Sequence, residues 1–98
     1  MNLSKNEVAV LSLLMGAGEM YGLDMVKKSE GKLKLGTIYI TLSRMEEKGY
    51  ATSRRELEPA VVVPRRLYRI TGAGAKLYQA WIAAEDVFNS RLFGVQHE

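Results

Sequence analysis

Leu35-Gly36-Thr37-Ile38-Tyr39-Ile40-Thr41-Leu42-Ser43-Arg44-Met45-Glu46-Glu47-Lys48-Gly49-Tyr50 is the stretch on which the fold turns. Ile38, Leu42 and Met45 recur at i, i+4 and i+7, which is the apolar stripe of a helix. Thr37 reads as its N-cap, and Gly49 as the left-handed residue that ends it just after Lys48, a cation suited to the negative helix end. If Ile38, Leu42 and Met45 face inward with Thr41 beside them, helical geometry turns Thr37, Tyr39, Ile40, Ser43, Arg44 and Glu47 outward. Hydroxyls bond phosphate and arginine reads guanine O6 and N7, so this outward set suits entry into a DNA major groove. Glu47 would repel phosphate and belongs near the groove's exit. Ile40 fits either a thymine methyl or a partly buried packing role.

Two shorter helices are expected upstream. Ser4 followed by Glu7 is a capping box, and behind it Val8, Leu11, Leu14 and Met15, widened by Val10 and Leu13, give a buried helix to about Met15. Gly16 and Gly18 stop it. Tyr21 to Ser29 places Leu23 and Val26 on one side, with Lys27 and Lys28 towards solvent, as a second helix before Gly31. Three helices then precede any strand. Met15, Met20, Met25 and Met45 are read as core filler.

Downstream the texture becomes alternating, from Ala51 to Leu57 and again from Arg66 to Thr71, while Pro59 and Pro64 restrict ladder pairing between the two runs. That is a hairpin with a long tip holding Val61, Val62 and Val63, whose reading is a mobile wing tip rather than a minor-groove wedge or a protein contact. Thr71 caps a last helix in which Leu77, Trp81, Ala84, Phe88 and Leu92 form one seam, with Tyr78, Ile82 and Val87 on its flanks. The expected fold is mainly α with a small β-hairpin. It is a winged helix-turn-helix over residues 1–71, followed over residues 72–98 by an extended C-terminal dimerisation helix and tail.

Charge and size sharpen this. Residues 36–71 carry seven cations against four acids, and every arginine but Arg91 lies there. The competing account of that charge is that Arg54, Arg55 and Arg69 solvate a sheet face and pair with Glu56 and Glu58. A chain of 98 residues holds one domain and buries only about 60 to 65% of its unfolded surface, so a long apolar seam calls for a partner chain. Trp81 reads as dimer core, because large aromatics dominate interface burial. No Cys is present and the single His97 stands next to the end, so neither thiolate nor imidazole can build a metal site, and no metal or cofactor is expected. A Gly-rich phosphate loop and a Ser/His/Asp set are also missing, so the chain is not read as an enzyme. No apolar run suits a bilayer or a signal peptide, which points to a cytoplasmic protein without a membrane partner.

Leu35-Gly36-Thr37-Ile38-Tyr39, then Leu42, Met45 and Glu46-Glu47-Lys48-Gly49-Tyr50, then Arg66-Leu67-Tyr68-Arg69-Ile70-Thr71 with Gly74, resemble the PadR-type transcriptional regulators. Leu11-Ser12-Leu13-Leu14 and Tyr21-Gly22-Leu23 fit the same pattern. Ile40 departs from it where proline is usual, and Leu67 where an aromatic is common.

The resemblance implies a homodimeric repressor that binds double-stranded DNA with its third helix and pairs through its last. Thr37, Tyr39, Ser43 and Arg44 would then be groove and phosphate contacts, joined by Lys48 at the helix end, and Arg65 and Arg66 would hold neighbouring backbone. Tyr21 and Lys5 are weaker candidates. A two-fold dimer requires an inverted-repeat operator with half-sites roughly 34 to 36 Å apart. Family members bind planar drugs or aromatic acids between such helices, which makes a small aromatic effector at the dimer interface a candidate partner. The alternative function is a winged-helix adaptor for protein contacts without DNA affinity, whose binding need not weaken steeply with salt. RNA binding would call for exposed aromatics on the sheet, where the sequence offers Tyr68 alone.

Overall fold

The computed structural model describes residues 3–56 and 65–93, with side chains described as far as residue 90. The elements run α1 (Lys5–Ala17), β1 (Glu19–Tyr21), α2 (Gly22–Lys28), α3 (Leu35–Glu47), β2 (Ala51–Glu56), β3 (Arg65–Ile70) and α4 (Gly72–Phe93). Leu57, Glu58, Pro59, Val61 to Val63, Pro64 and His97 lie outside the described residues, as does the side chain of Leu92.

α1 starts as its sequence dictates. The Ser4 hydroxyl accepts the Glu7 N–H at 3.1 Å, and the Glu7 carboxylate accepts the Ser4 N–H at 3.0 Å. Val10, Leu11 and Leu14 are fully buried, whereas Met15, expected in the core, is 38% exposed. The buried stripe lies along Glu7, Val10, Leu11 and Leu14, and Met15 falls off its edge.

A strand that the expected order lacks follows. Glu19-Met20-Tyr21 pairs antiparallel with β3, so the hairpin becomes a three-stranded sheet in the order β1-β3-β2. Three residues are too few to display alternation, and this segment is a strand only because β3 offers it a free edge. α2 differs too: its buried residues are Gly22 and Met25, with Ser29 just beyond, while Leu23 is 48% exposed. The Ser29 hydroxyl donates to Val26 O at 2.9 Å and accepts the Leu33 N–H at 2.9 Å, which fastens the turn between α2 and α3 and buries Leu33.

α3 buries Ile38, Thr41, Leu42 and Met45, as the stripe requires. Its N-cap is Lys34 rather than Thr37. The Lys34 carbonyl already accepts from Thr37 and Ile38, so the helix has begun before Thr37 is reached. Gly49, at φ +81°, ends it in a Schellman motif, with Gly49 N–H donating to Glu46 O and Tyr50 N–H to Met45 O.

The same turn holds α4. Thr71 N–H donates to Tyr50 O, its hydroxyl donates to Gly49 O at 2.6 Å, and that hydroxyl accepts the Gly74 N–H at 3.0 Å as the N-cap. The end of α3 and the start of α4 are therefore one hydrogen-bonded unit. Tyr78 packs on the core, but from Ile82 to Asn89 every side chain of α4 is exposed. No helix among the described residues is long and apolar enough to cross a membrane.

Candidate nucleic-acid interface

The outward residues of α3 lie where its periodicity puts them. Thr37, Tyr39, Ile40, Ser43, Arg44 and Glu47 are all exposed, with Tyr39 at 47% and Ile40 at 55%. The Tyr39 ring also rests against α2: a Cβ built on Gly22 would lie 2.8 Å from its Cε1. Packing on α2 and exposure to solvent are thus both true of this residue.

The sheet divides the arginines by face. Glu19, Tyr21, Arg54, Glu56, Arg65 and Arg69 share the outer face through the β1-β3-β2 register. Glu19 accepts from Arg54 at 2.9 Å and from Arg69, Arg54 also reaches Glu56 at 3.1 Å, and the Tyr21 hydroxyl donates to Glu56 at 2.6 Å. The Arg65 guanidinium lies 5.4 Å from the Tyr21 ring centroid. The Arg54 hydrogen bond, with Arg69, holds the Glu19 carboxyl below its ordinary value, and Glu19 in turn raises Arg54. Arg54 and Arg69 therefore neutralise acids of their own sheet, as the competing account of the charge has it, with Glu19 as the main acid.

Arg55 and Arg66 are on the opposite face and sit directly across from each other in the β2-β3 register. Like charges so placed destabilise a sheet. No acid among the described residues pairs with either one. Both line a groove of about 560 Å³ with Arg65, Lys27, Tyr39 and the buried Tyr68, and among the described residues Asp24 is the one carboxylate on its wall. Burial, and then the charge of Glu46, push the Tyr68 hydroxyl pKa up, so it stays a neutral donor. The groove joins the outward face of α3, through Tyr39, to the wing, through Arg65 and Arg66.

Arg55, Lys27 and Tyr68 are not among the expected DNA contacts: Arg55 is expected on a solvated sheet face, Lys27 towards solvent and Tyr68 on the sheet, and the groove brings them together. Counting by twos from the buried Ala51 through Ser53 to Arg55 supplies the signal, because it sets Arg55 in phase with the core face. Lys48 stands apart from this groove: its Nζ lies 2.9 Å from Oε2 of Glu7 on α1. Burial pushes the Glu7 carboxyl up, but the Ser4 N–H and Lys48 outweigh it and hold the group below its ordinary range. Lys5 lines a second groove.

That second groove, of about 890 Å³, runs between α1 and α4 with Ala9, Leu13, Tyr78 and Trp81 as its apolar wall and Lys28, Lys32 and Glu85 among its charges. Of the expected seam, Leu77 and Trp81 are half-buried, while Ala84 and Phe88 are exposed. Among the described residues no cluster of three or more acids or histidines is placed to hold a metal ion.

Comparison with known proteins agrees with this architecture. The profile of the transcriptional regulator PadR-like family matches residues 10–80. No curated protein matches the sequence. Among solved structures, a PadR family transcription regulator from Clostridium difficile is 27% identical, covering 91% of this chain and 99% of its own, with a TM-score of 0.71. A transcriptional regulator from Clostridium thermocellum is 26% identical, covering 94% of this chain and 90% of its own, with a TM-score of 0.73. PadR of Bacillus subtilis, solved in complex with operator DNA, shares the fold at 22% identity and a TM-score of 0.68, covering 94% of this chain and 48% of its own. The helix order, the wing and the profile match over more than half the chain lead to one assignment: the protein belongs to the PadR-like family of winged-helix transcriptional regulators.

Proposed function

We propose that the protein is a homodimeric repressor that binds double-stranded DNA at an inverted-repeat operator. The observation that carries this reading is the facing pair Arg55 and Arg66, with no described acid in direct ion-pair contact with either, at the head of a groove that also holds Tyr39 of α3. An anion between the two guanidiniums relieves their repulsion, and the phosphate backbone is the anion that a winged helix meets. In this reading Thr37, Tyr39, Ile40, Ser43 and Arg44 face the major groove, and Arg65 and Arg66 hold flanking phosphates. Lys48 serves mainly to fasten α3 to α1 through Glu7.

The exposed turns of α4 support the dimer. Ile82, Val87 and Phe88 are 46, 53 and 59% exposed, and a second copy would remove this apolar surface from water. Two copies related by a two-fold axis present two α3 helices, which is why the operator is an inverted repeat. The groove beside Trp81 and Tyr78 gives a planar aromatic effector a place next to that interface. An electrophoretic mobility-shift assay on genomic fragments tests the reading: Arg44→Ala is expected to lose preference for the fragment that the wild type selects. Equal affinity of both proteins for every fragment would overturn the assignment of α3.

A further inference from the structure

α3 and the wing are joined by a short chain of polar groups that ends on Arg66 and whose other two members, Glu46 and Ser53, are not among the proposed contacts. Ser53, half-buried on β2, donates its hydroxyl hydrogen to the Glu46 carboxylate, whose two oxygens lie 3.1 and 3.0 Å away. The same Ser53 oxygen accepts from Nη1 of Arg66 at 3.1 Å. A hydroxyl has one hydrogen and two lone pairs, so with an acceptor-only carboxylate on one side and a donor-only guanidinium on the other, the direction of both bonds is fixed. Glu46 is on α3, Ser53 on β2 and Arg66 on β3, so three elements meet at one oxygen.

Two features make this more than a surface contact. Arg66 faces Arg55 across the ladder, and repulsion alone would swing its long side chain away from the groove. Glu46 also forms no direct ion pair with Arg66, so the guanidinium is oriented through a neutral hydroxyl and keeps its remaining donors and its charge for a ligand.

We infer that Glu46 and Ser53 are positioning residues: they preset the Arg66 guanidinium for a DNA phosphate and lock the wing to the recognition helix. This rests on the reading of Arg66 as a phosphate contact. Ser53 spares the wing arginine the ordering cost that a flexible side chain otherwise meets on binding.

A double-mutant cycle tests it, using fluorescence anisotropy with a labelled random-sequence duplex at low salt, where phosphate contacts carry the binding. Arg66→Ala is expected to weaken binding. Ser53→Ala should weaken it about three- to tenfold, the effect of one lost hydrogen bond, and Ser53→Thr, which keeps the hydroxyl, should restore it. On the Arg66→Ala background, Ser53→Ala should cost nothing further. If Ser53→Ala fails to fold, Glu46→Ala with and without Arg66→Ala runs the same cycle. Unchanged binding by Arg66→Ala would refute the phosphate contact itself. A loss in Arg66→Ala with wild-type binding in Ser53→Ala, or equal losses from Ser53→Ala on both backgrounds, would overturn the positioning role alone.

Discussion

Glu7 in the first turn of α1 and Lys48 at the end of α3 are joined by a 2.9 Å ion pair across 41 residues of sequence. Glu7 is 7% exposed and its carboxylate also takes the Ser4 N–H, so one group caps α1 and anchors the helix that faces the proposed groove. Glu7→Gln is expected to cost about 1 to 3 kcal/mol, the range for a buried, charge-assisted hydrogen bond. The pH dependence follows from the lowered folded-state pKa. The stabilisation is complete above the unfolded value near 4.5 and is lost as pH falls through the folded value. Denaturant unfolding of both proteins should show a stability gap at neutral pH that narrows in acid. A gap independent of pH would contradict the ion pair.

Gly74 tests how α4 is attached. A Cβ there would overlap the Tyr50 carbonyl oxygen, which already accepts the Thr71 N–H. Gly74→Ala should lower stability by about 1 to 3 kcal/mol, as overpacking does, even though alanine is the better helix former. Gly72→Ala, with open space around it, is the control and should be neutral or slightly stabilising. Thermal melts of the two variants decide the matter.

Gly22 allows a separate test of Tyr39. An added methyl would meet the Tyr39 ring edge, which is half-exposed and can swing aside. Gly22→Ala should therefore move the melting temperature little, yet weaken DNA binding by displacing Tyr39 from the groove wall. Unchanged affinity would mean that the ring position does not matter to DNA.

Phe88 separates pairing from folding. Trp81 is half-buried beside α1, so its replacement disturbs the chain's own packing, whereas Phe88 is 59% exposed. Phe88→Lys should yield a folded monomer in analytical ultracentrifugation. A dimer as tight as the wild type would place the interface elsewhere.

How much of this was legible in the sequence depended on the length and strength of each local signal. The buried face and the end of α3 were readable, because Ile38, Leu42, Met45 and Gly49 form a period and a stop that packing then respected, whereas its N-cap, Lys34, lies three residues before the expected Thr37. β1 was not, since three residues become a strand only beside a distant edge. The capping box announced that Glu7 lies at the start of a helix, but nothing local links it to Lys48. The same limit applied to the arginines. Composition counted them together, whereas the register sends Arg54 and Arg69 to Glu19 on one face and Arg55 to Arg66 on the other.

The salt dependence of binding tests the central claim most directly. The affinity of the wild type for double-stranded DNA, followed from low to physiological salt, should fall steeply, with log affinity against log salt dropping by about 0.9 for each phosphate neutralised. Arg55→Ala and Arg66→Ala should each make that slope shallower by about one such unit. A wild-type affinity that hardly changes with salt, or slopes that neither substitution alters, would contradict the assignment of this groove to the DNA backbone and favour a winged helix used for protein contacts.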